Sequence, residues 1–362
     1  MPGPRPSITN IVRQQQRWLR EQSRRWASLS MPVADAELEK IDEAEAGLTE
    51  VADFGSNPGA LRMLVHLPEN LPPDAPLVVV LHGCTQGAAV FDRACGWSEL
   101  ASQAGFALLL PEQRLTNNSK GCFNWFAASD TRRDAGEALS IRQMIDWMLL
   151  NHGLNSKRVY IAGLSAGGAM ATVMLATYPE VFAAGAIIGG VPYGSAADAR
   201  QARPAMAGKR NAPAKGWGGV VRAASSHQGP WPRVSIWHGD ADPSVHPINA
   251  ERLVEQWTDL HGLATVTALD GRTGDHLRRV WPDANGTALV ESHTIAGMAH
   301  GAPIRAGTGP GCCGTAGPAT LDIGVSSTHH ILRFWGLASR LDMTTTPSNS
   351  SVGSRSRRHR PP

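Results

Sequence analysis

The stretch RVYIAGLSAGGAMATVMLA, which begins at Arg158, constrains the fold of this chain more than any other. A short β-prone run enters Gly-Leu-Ser-Ala-Gly-Gly, and an Ala/Met/Leu-rich helical pattern follows. A strand that becomes a helix this abruptly needs glycines where the two segments cross, so we expect Gly163 and Gly167 to make room there. Ser165 is then forced into a strained conformation that lifts its hydroxyl above a sheet edge. The alternative is a glycine-rich turn with an incidental serine.

Short apolar runs alternate with helical patterns through the middle of the chain. Most runs are continuous, as in strands that are covered on both faces. Two helical patterns carry an apolar stripe, namely Ile141, Met144, Ile145 and Met148 in one and Leu253, Val254, Trp257 and Leu260 in the other. The predicted strands are 61–68, 76–83, 106–112, 158–163, 185–190 and 233–239, with an antiparallel edge strand over 48–54. This alternation predicts an α/β fold whose central sheet is mostly parallel, with helices on both faces.

Charge and composition divide the chain into three parts. Residues 1–45 resemble a basic amphipathic arm that packs on the domain, stays frayed, or binds a partner or membrane surface. Residues 46–341 form the predicted catalytic domain, and residues 342–362 are a basic Ser/Thr/Pro-rich tail that we expect to be disordered. The net charge of the whole chain is +3. Residues 1–30 carry a net charge of +5 and residues 343–362 carry +4, so residues 31–342 carry −6. An acidic body argues against nucleic-acid binding.

The sequence predicts neither a membrane segment nor a metal site. No apolar run has the length of a transmembrane helix, and the first 30 residues have no apolar core of signal-peptide length. We therefore expect a cytoplasmic location. The five cysteines leave at least one unpaired, and their spacing fits no usual zinc pattern. Structural thiols are the simplest interpretation.

A reactive serine needs a histidine to remove its proton and an acid to orient that histidine. In an α/β-hydrolase the chain order is serine, acid, histidine. Asp242 follows the predicted strand 233–239, and His300 follows a further predicted strand that contains SHTI, so both stand in that order. Asp240 competes for the acid, but Asp242 precedes a proline in a turn and is preferred. His300 lies in a Gly-bounded loop. The competing histidines lie in strands, at strand ends or in other loops, and they are His238, His246, His276 and His293.

Two backbone N–H groups are expected to bind an oxyanion at the serine. The helix that begins near Ala166 supplies one of them. The other comes from Cys84, which follows the strand VVVL and the pair His82-Gly83. Cys84 as the nucleophile is the competing hypothesis, but no helix or base stands beside it in sequence.

Five blocks in order carry a family resemblance: LHGCTQ, CFNWF at 122–126, GLSAGGAMA, WHGDADPSV and GMAHG. Together they resemble the polyhydroxybutyrate (PHB) depolymerase family of esterases, relatives of feruloyl and acetylxylan esterases, over about residues 48–340. The resemblance implies an α/β-hydrolase fold and a closing helix in SSTHHILRFWGL. It also implies a set of site residues, which are the triad Ser165, Asp242 and His300, the oxyanion donors Cys84 and Ala166, and the substrate contacts Asn124 and Trp125.

The resemblance implies a serine carboxylic-ester hydrolase that works through an acyl-enzyme, without metal or organic cofactor. The expected substrates are polyhydroxyalkanoate esters, as polymer or oligomer. The alternatives are a feruloyl, acetylxylan or general short-chain esterase, a serine peptidase, and a non-catalytic binding protein of the same fold. Family members are secreted, which is the alternative to a cytoplasmic location. The resemblance also places Cys84 and Cys122 on one rim of the cleft, either as a disulfide or as two thiols.

Overall fold

The structure is a computed structural model that describes residues 46–338. The predicted N-terminal arm (1–45) and tail (342–362) lie outside the described residues, so the division of the chain into three parts stays a prediction. Between residues 46 and 338, no helix has both the length and the apolar character that a membrane span requires.

The strands of the described region are β1 (Thr49–Val51), β2 (Arg62–His66), β3 (Leu77–Leu81), β4 (Ala107–Glu112), β5 (Val159–Leu164), β6 (Ala184–Ile188), β7 (Arg233–Gly239), β8 (Leu269–Thr273), β9 (His276–Pro282), β10 (Ala288–Ile295), β11 (Ala302–Ile304) and β12 (Thr320–Asp322). Ten of these form one sheet in the order β1-β2-β4-β3-β5-β6-β7-β10-β9-β8, and β11 pairs with β12. All neighbours from β4 to β10 are parallel, whereas β1 and β2 at one edge and β9 and β8 at the other are antiparallel. The predicted mostly parallel sheet with an antiparallel first edge is confirmed.

The helices of the described region are α1 (Ala88–Cys95), α2 (Trp97–Ala104), α3 (Ala128–Thr131), α4 (Gly136–His152), α5 (Ala166–Thr177), α6 (Ala199–Met206), α7 (Gly216–Arg222), α8 (Ile248–Leu260) and α9 (Ser327–Trp335). Both predicted apolar stripes are buried, one on α4 and the other on α8. The predicted closing helix corresponds to α9.

Helices cover both faces of the sheet, and strand β3 shows how. Leu77, Val79 and Leu81 pack into the core that α4, α5 and α8 complete. Val78 and Val80 point the other way, into the core that α1, α2 and α9 complete. Because successive side chains of a strand alternate between faces, a strand buried on both sides must be apolar throughout. The continuous run LVVVL is therefore explained by two cores.

The carboxyl ends of the central parallel strands lie along one edge of the sheet. In open α/β sheets the ligand cleft forms outside these ends. Strands β5, β6, β7 and β10 are consecutive neighbours there, so the loops that follow them converge. Ser165 follows β5, Asp242 follows β7 and His300 follows β10. Sheet order thus brings together residues that are far apart in the chain.

A buried histidine cluster lies on the same sheet. His293 on β10 stacks on Trp237 of β7, with ring centroids 3.7 Å apart and planes at 4°. Its Nδ1 lies 2.7 Å from Nε2 of His276, and its Nε2 lies 3.0 Å from Glu291 Oε1. Burial, with a further contribution from His293, lowers the pKa of His276 to about 4. His330 of α9 packs against this cluster, with its ring centroid 5.5 Å from that of His276, and burial lowers its pKa to about 4. These imidazoles are therefore neutral at neutral pH.

We expect the free energy of unfolding to fall as the pH drops from about 6.5 towards 4. The unfolded chain takes up protons on its histidines near pH 6.5, whereas folded His276 resists protonation until about pH 4. Its stabilising contribution is complete above pH 6.5 and is lost through this window. For His276, which is 7% exposed, the shift corresponds to roughly 3 kcal/mol. Urea titrations between pH 4 and 8 measure the slope.

The control for this prediction is His276→Gln. Subtracting the two pH profiles removes the contributions of groups that do not contact His276, including buried carboxyl groups that titrate in the same range. The profile of the variant should be flatter between pH 4 and 6.5. Parallel profiles would contradict the assignment.

Candidate active site

Ser165 lies in a strained turn between β5 and α5. Its backbone has φ 57° and ψ −116°, and residues with a side chain rarely adopt such a positive φ. A Cβ on Gly163 would lie 2.3 Å from the Gly167 carbonyl oxygen, and a Cβ on Gly167 would lie 2.2 Å from the Leu81 oxygen. Both positions therefore require glycine, as the sequence predicts. The turn is anchored by the Ser165 N–H, which donates to the Ile188 oxygen over 2.8 Å.

Asp242 and His300 are hydrogen-bonded to each other. His300 Nδ1 lies 2.7 Å from Asp242 Oδ2. The other carboxylate oxygen, Oδ1, accepts from the backbone N–H groups of Ser244 and Val245 over 2.8 and 2.9 Å. This turn fixes the carboxylate towards His300 and leaves Nε2 of the imidazole for a reaction partner. The Asp–His pair expected from chain order is therefore assembled.

Charge on Asp242 is stabilised despite its burial. Burial alone would raise its pKa, but hydrogen bonds with His238 and His300 outweigh burial and bring the pKa well below its usual value. His238 Nε2 lies 3.3 Å from Asp242 Oδ2 and 2.9 Å from the Val245 carbonyl oxygen. His238, one of the competing histidines, therefore supports the acid instead of replacing His300. The sequence alone did not indicate this role.

The remaining competitors have other partners. Asp240 Oδ1 accepts from the Gly297 N–H over 2.6 Å and so holds the loop before His300. His246 Nδ1 accepts from the Ile248 N–H at the start of α8. His276 and His293 lie in the buried cluster described above.

Gly189 brings the serine and histidine segments together. It follows Ile188, which accepts the Ser165 N–H, at the end of β6. A Cβ at Gly189 would lie 3.1 Å from His300 Cε1 and 3.8 Å from Asp242 Oδ2. The loop after β6 thus passes directly against the imidazole. Ser165, His300 and Asp242 consequently line one short stretch of the sheet edge.

The two expected oxyanion donors come from segments in close contact. Ala166 is the first residue of α5, and the first N–H groups of a helix have no partner within it. On the other segment, the Gly83 N–H donates to Gln86 and the Thr85 N–H to the Lys120 oxygen. The Cys84 N–H between them has no acceptor among residues 46–338. Both groups are therefore available to an oxyanion.

His82 fixes the peptide that carries the Cys84 N–H. The Gln113 N–H donates to His82 Nε2 over 3.1 Å, so the ring proton is on Nδ1. Nδ1 then donates to the Gly83 carbonyl oxygen over 2.8 Å. That carbonyl and the Cys84 N–H belong to one planar peptide unit. Burial lowers the pKa of His82, which keeps it neutral. Its position directly before Gly83 was the only sequence signal for this role.

The segment CFNWF is tied to the oxyanion loop. Cys84 and Cys122 form a disulfide, and Glu137 of α4 accepts from the Asn124 N–H over 2.8 Å. Burial raises the pKa of Glu137 to about 8, against hydrogen bonds that lower it. Asn124 Oδ1 accepts from Asn118 over 3.0 Å, so this oxygen serves the loop itself. Of the two expected substrate contacts, Trp125 lines a cavity beside the site.

We expect peptide mapping without reductant to recover Cys84 and Cys122 as one cross-linked pair. The bridge closes a loop with a sequence separation of 38, for which chain entropy predicts a stabilisation of roughly 3–4 kcal/mol. The denaturation midpoint should fall accordingly in the reduced protein. Cys95 and Cys313, which are free and buried, serve as internal controls that react with alkylating agents only after denaturation. Alkylation of Cys84 and Cys122 without reductant would contradict the pairing.

Potential metal ligands are dispersed in the described region. No group of three His, Cys, Asp or Glu side chains within residues 46–338 is arranged to hold a metal ion. The expectation that neither metal nor organic cofactor takes part stays a prediction.

The sheet order and the strand–turn–helix at Ser165 define an α/β-hydrolase fold. An acetyl xylan esterase from Aspergillus awamori has a solved structure that matches with a TM-score of 0.68 at 24% sequence identity. The match covers 80% of this chain and 99% of that one. The predicted fold class is confirmed.

Sequence comparison then gives the family. The family model for esterase PHB depolymerase matches residues 64–282. Poly(3-hydroxyalkanoate) depolymerase C of Paucimonas lemoignei is 47% identical over 291 residues, which cover 80% of this chain and 70% of that protein. Feruloyl esterase B of Talaromyces stipitatus is 34% identical over 241 residues, 63% of this chain and just under two thirds (66%) of that esterase. The chain belongs to the PHB depolymerase family of esterases and is a serine ester hydrolase.

Proposed function

We propose that the chain hydrolyses ester bonds between 3-hydroxyalkanoate units through an acyl-enzyme. The observation that carries the choice of substrate is the 47% identity to a poly(3-hydroxyalkanoate) depolymerase over 80% of the chain. The site geometry supports the chemistry, because an Asp–His pair and two available backbone N–H groups surround a serine on a tight turn.

In the proposed mechanism, Ser165 Oγ attacks the ester carbonyl carbon while His300 Nε2 takes the hydroxyl proton. The Cys84 and Ala166 N–H groups donate to the oxyanion that develops. Collapse of this intermediate breaks the ester C–O bond, and His300 returns the proton to the leaving alkoxide. Water activated by His300 then attacks the acyl-enzyme and releases the acid and Ser165. Asp242 holds the imidazole tautomer and stabilises its positive charge throughout.

A feruloyl or acetylxylan-type esterase is the second candidate. It is favoured by the 34% identity to a feruloyl esterase. The same catalytic residues would serve either substrate. The difference lies in what the neighbouring cavity binds.

The experiment that separates these candidates compares purified enzyme on trimers of 3-hydroxybutyrate, methyl ferulate, p-nitrophenyl acetate and a peptide p-nitroanilide. The proposal expects the highest kcat/KM on the trimer. A higher kcat/KM on methyl ferulate would overturn it in favour of the feruloyl candidate. Anilide hydrolysis at a comparable rate would instead indicate a peptidase.

We further propose that the enzyme works in an oxidising compartment. The Cys84–Cys122 disulfide supports this, because such bridges persist outside the reducing cytoplasm. The proposal favours secretion, the family-based alternative, over the cytoplasmic location expected from the sequence.

A further inference from the structure

A cavity of about 210 Å³ is lined in part by the chain segments that follow Ser165 and Gly189. Two of its wall residues, Ala169 and Val173, lie in the first and second turns of α5, the helix that begins directly after Ser165. A third, Val191, comes two residues after Gly189, which faces His300. Two chain segments therefore lead directly from the site into the cavity wall.

The cavity is mostly apolar and large enough for a small organic group. Its wall includes Trp125, Val173, Pro192 and Tyr193. A dry cavity of about 150 Å³ already admits benzene in other proteins. The apolar surface suits the aliphatic backbone and short side chain of a hydroxyacyl unit.

One buried hydroxyl in this wall has no partner. Ser195 is 3% exposed, and its Oγ makes no hydrogen bond to any residue between 46 and 338. Buried polar groups in proteins are nearly always paired. The Ser195 hydroxyl is therefore free to hydrogen-bond to a molecule that enters the cavity.

A positive charge completes the wall. Arg132 lines the cavity and is exposed at its rim. Its Nε donates to the Ala128 oxygen over 2.9 Å, and it forms no ion pair with a carboxylate of the described region. The adjacent Arg133, by contrast, is paired with Glu180 over 2.7 Å. The Arg132 guanidinium is therefore available to an anionic ligand group.

We propose that this cavity binds the carboxylate-bearing end of a hydroxyalkanoate oligomer. In a linear oligomer the free carboxylate lies on the alcohol side of every ester bond. The cavity is thus a leaving-group subsite, in which Arg132 pairs with the carboxylate and the Ser195 hydroxyl donates to an oxygen of the same end. This inference rests on the proposed function and adds a preference for oligomers with a free acid.

The test compares the 3-hydroxybutyrate trimer as free acid with the methyl ester of the same trimer, at neutral pH. Both contain the same internal ester bonds, and product analysis reports hydrolysis of those bonds. We expect kcat/KM to be about tenfold higher for the free acid, as a charge-assisted hydrogen bond predicts. Arg132→Gln should remove this preference. Ser195→Ala should lower kcat/KM for both trimers, mainly through KM.

The matched control is Arg93→Gln, which removes an exposed positive charge on α1, outside the cavity wall. It should keep the preference for the free acid. Thermal melting confirms that each variant is folded. Equal kcat/KM for the two trimers in the wild type, or a preference that persists in Arg132→Gln, would overturn the subsite while leaving the proposed function intact. If neither trimer is hydrolysed, the proposed function itself fails.

Discussion

Replacing Ser165 with alanine is expected to lower turnover of a short p-nitrophenyl ester by about a million-fold, the usual consequence of losing a triad nucleophile. The fold should be unaffected, because the backbone N–H that anchors the turn to Ile188 remains. Without the hydroxyl, His300 has no proton to remove and no acyl-enzyme forms. Initial rates of the purified variant, with its circular dichroism spectrum and melting temperature, test this expectation.

The matched control is Ser156→Ala. Ser156 is exposed and precedes β5, whereas Ser165 follows the carboxyl end of the same strand. The control loses an identical hydroxyl far from the site and should retain wild-type turnover. A Ser165→Ala protein that keeps even a tenth of wild-type turnover would falsify the assignment of the nucleophile.

Much of the fold was predictable because its signals are local. The run LVVVL indicates a strand between two cores, and the glycines at 163 and 167 indicate a turn with no space for side chains. The order of Ser165, Asp242 and His300 along the chain is sufficient to predict that they meet, because parallel strands align their carboxyl ends at one edge of the sheet. These features need only neighbouring residues and one rule of topology.

The hairpin formed by β8 and β9 was not predicted. The side chains of β8 (LDGRT) are exposed along its whole length, so no hydrophobic pattern distinguishes it from a loop. It becomes a strand because its backbone pairs with β9, which in turn pairs with β10. Such pairing is a tertiary effect that overrides local propensity.

Parts of the site could not be predicted from the sequence either, because their roles depend on contacts between residues far apart in the chain. His82 acts on the Gly83 peptide only because the Gln113 N–H fixes its tautomer. His238 contacts Asp242 only because the turn after β7 folds back on the strand. The unpaired hydroxyl of Ser195 has no sequence signature at all. Each of these contacts is specified by packing between distant segments.

The choice between the two neighbouring carboxylates leads to the second large effect. Asp242→Asn should lower kcat by about ten-thousand-fold, because the amide favours the wrong imidazole tautomer and leaves the charged imidazolium without its counter-ion. The carboxylate accepts from His300 Nδ1 over 2.7 Å, and an amide oriented by Ser244 and Val245 through its oxygen would present its NH₂ group to the imidazole. Steady-state kinetics on a p-nitrophenyl ester measure the loss.

Asp240→Asn provides the control, since it makes the same chemical change two residues away. Asp240 accepts a backbone hydrogen bond from the Gly297 N–H, and an asparagine oxygen can accept it equally well. We therefore expect only a mild reduction in kcat, while KM and melting temperature stay near wild type. Comparing kcat of the two variants distinguishes the carboxylate that contacts His300 from the Asp240 carboxylate, which only holds the loop before His300. If Asp240→Asn were the inactive variant and Asp242→Asn the active one, the catalytic acid would have to be reassigned.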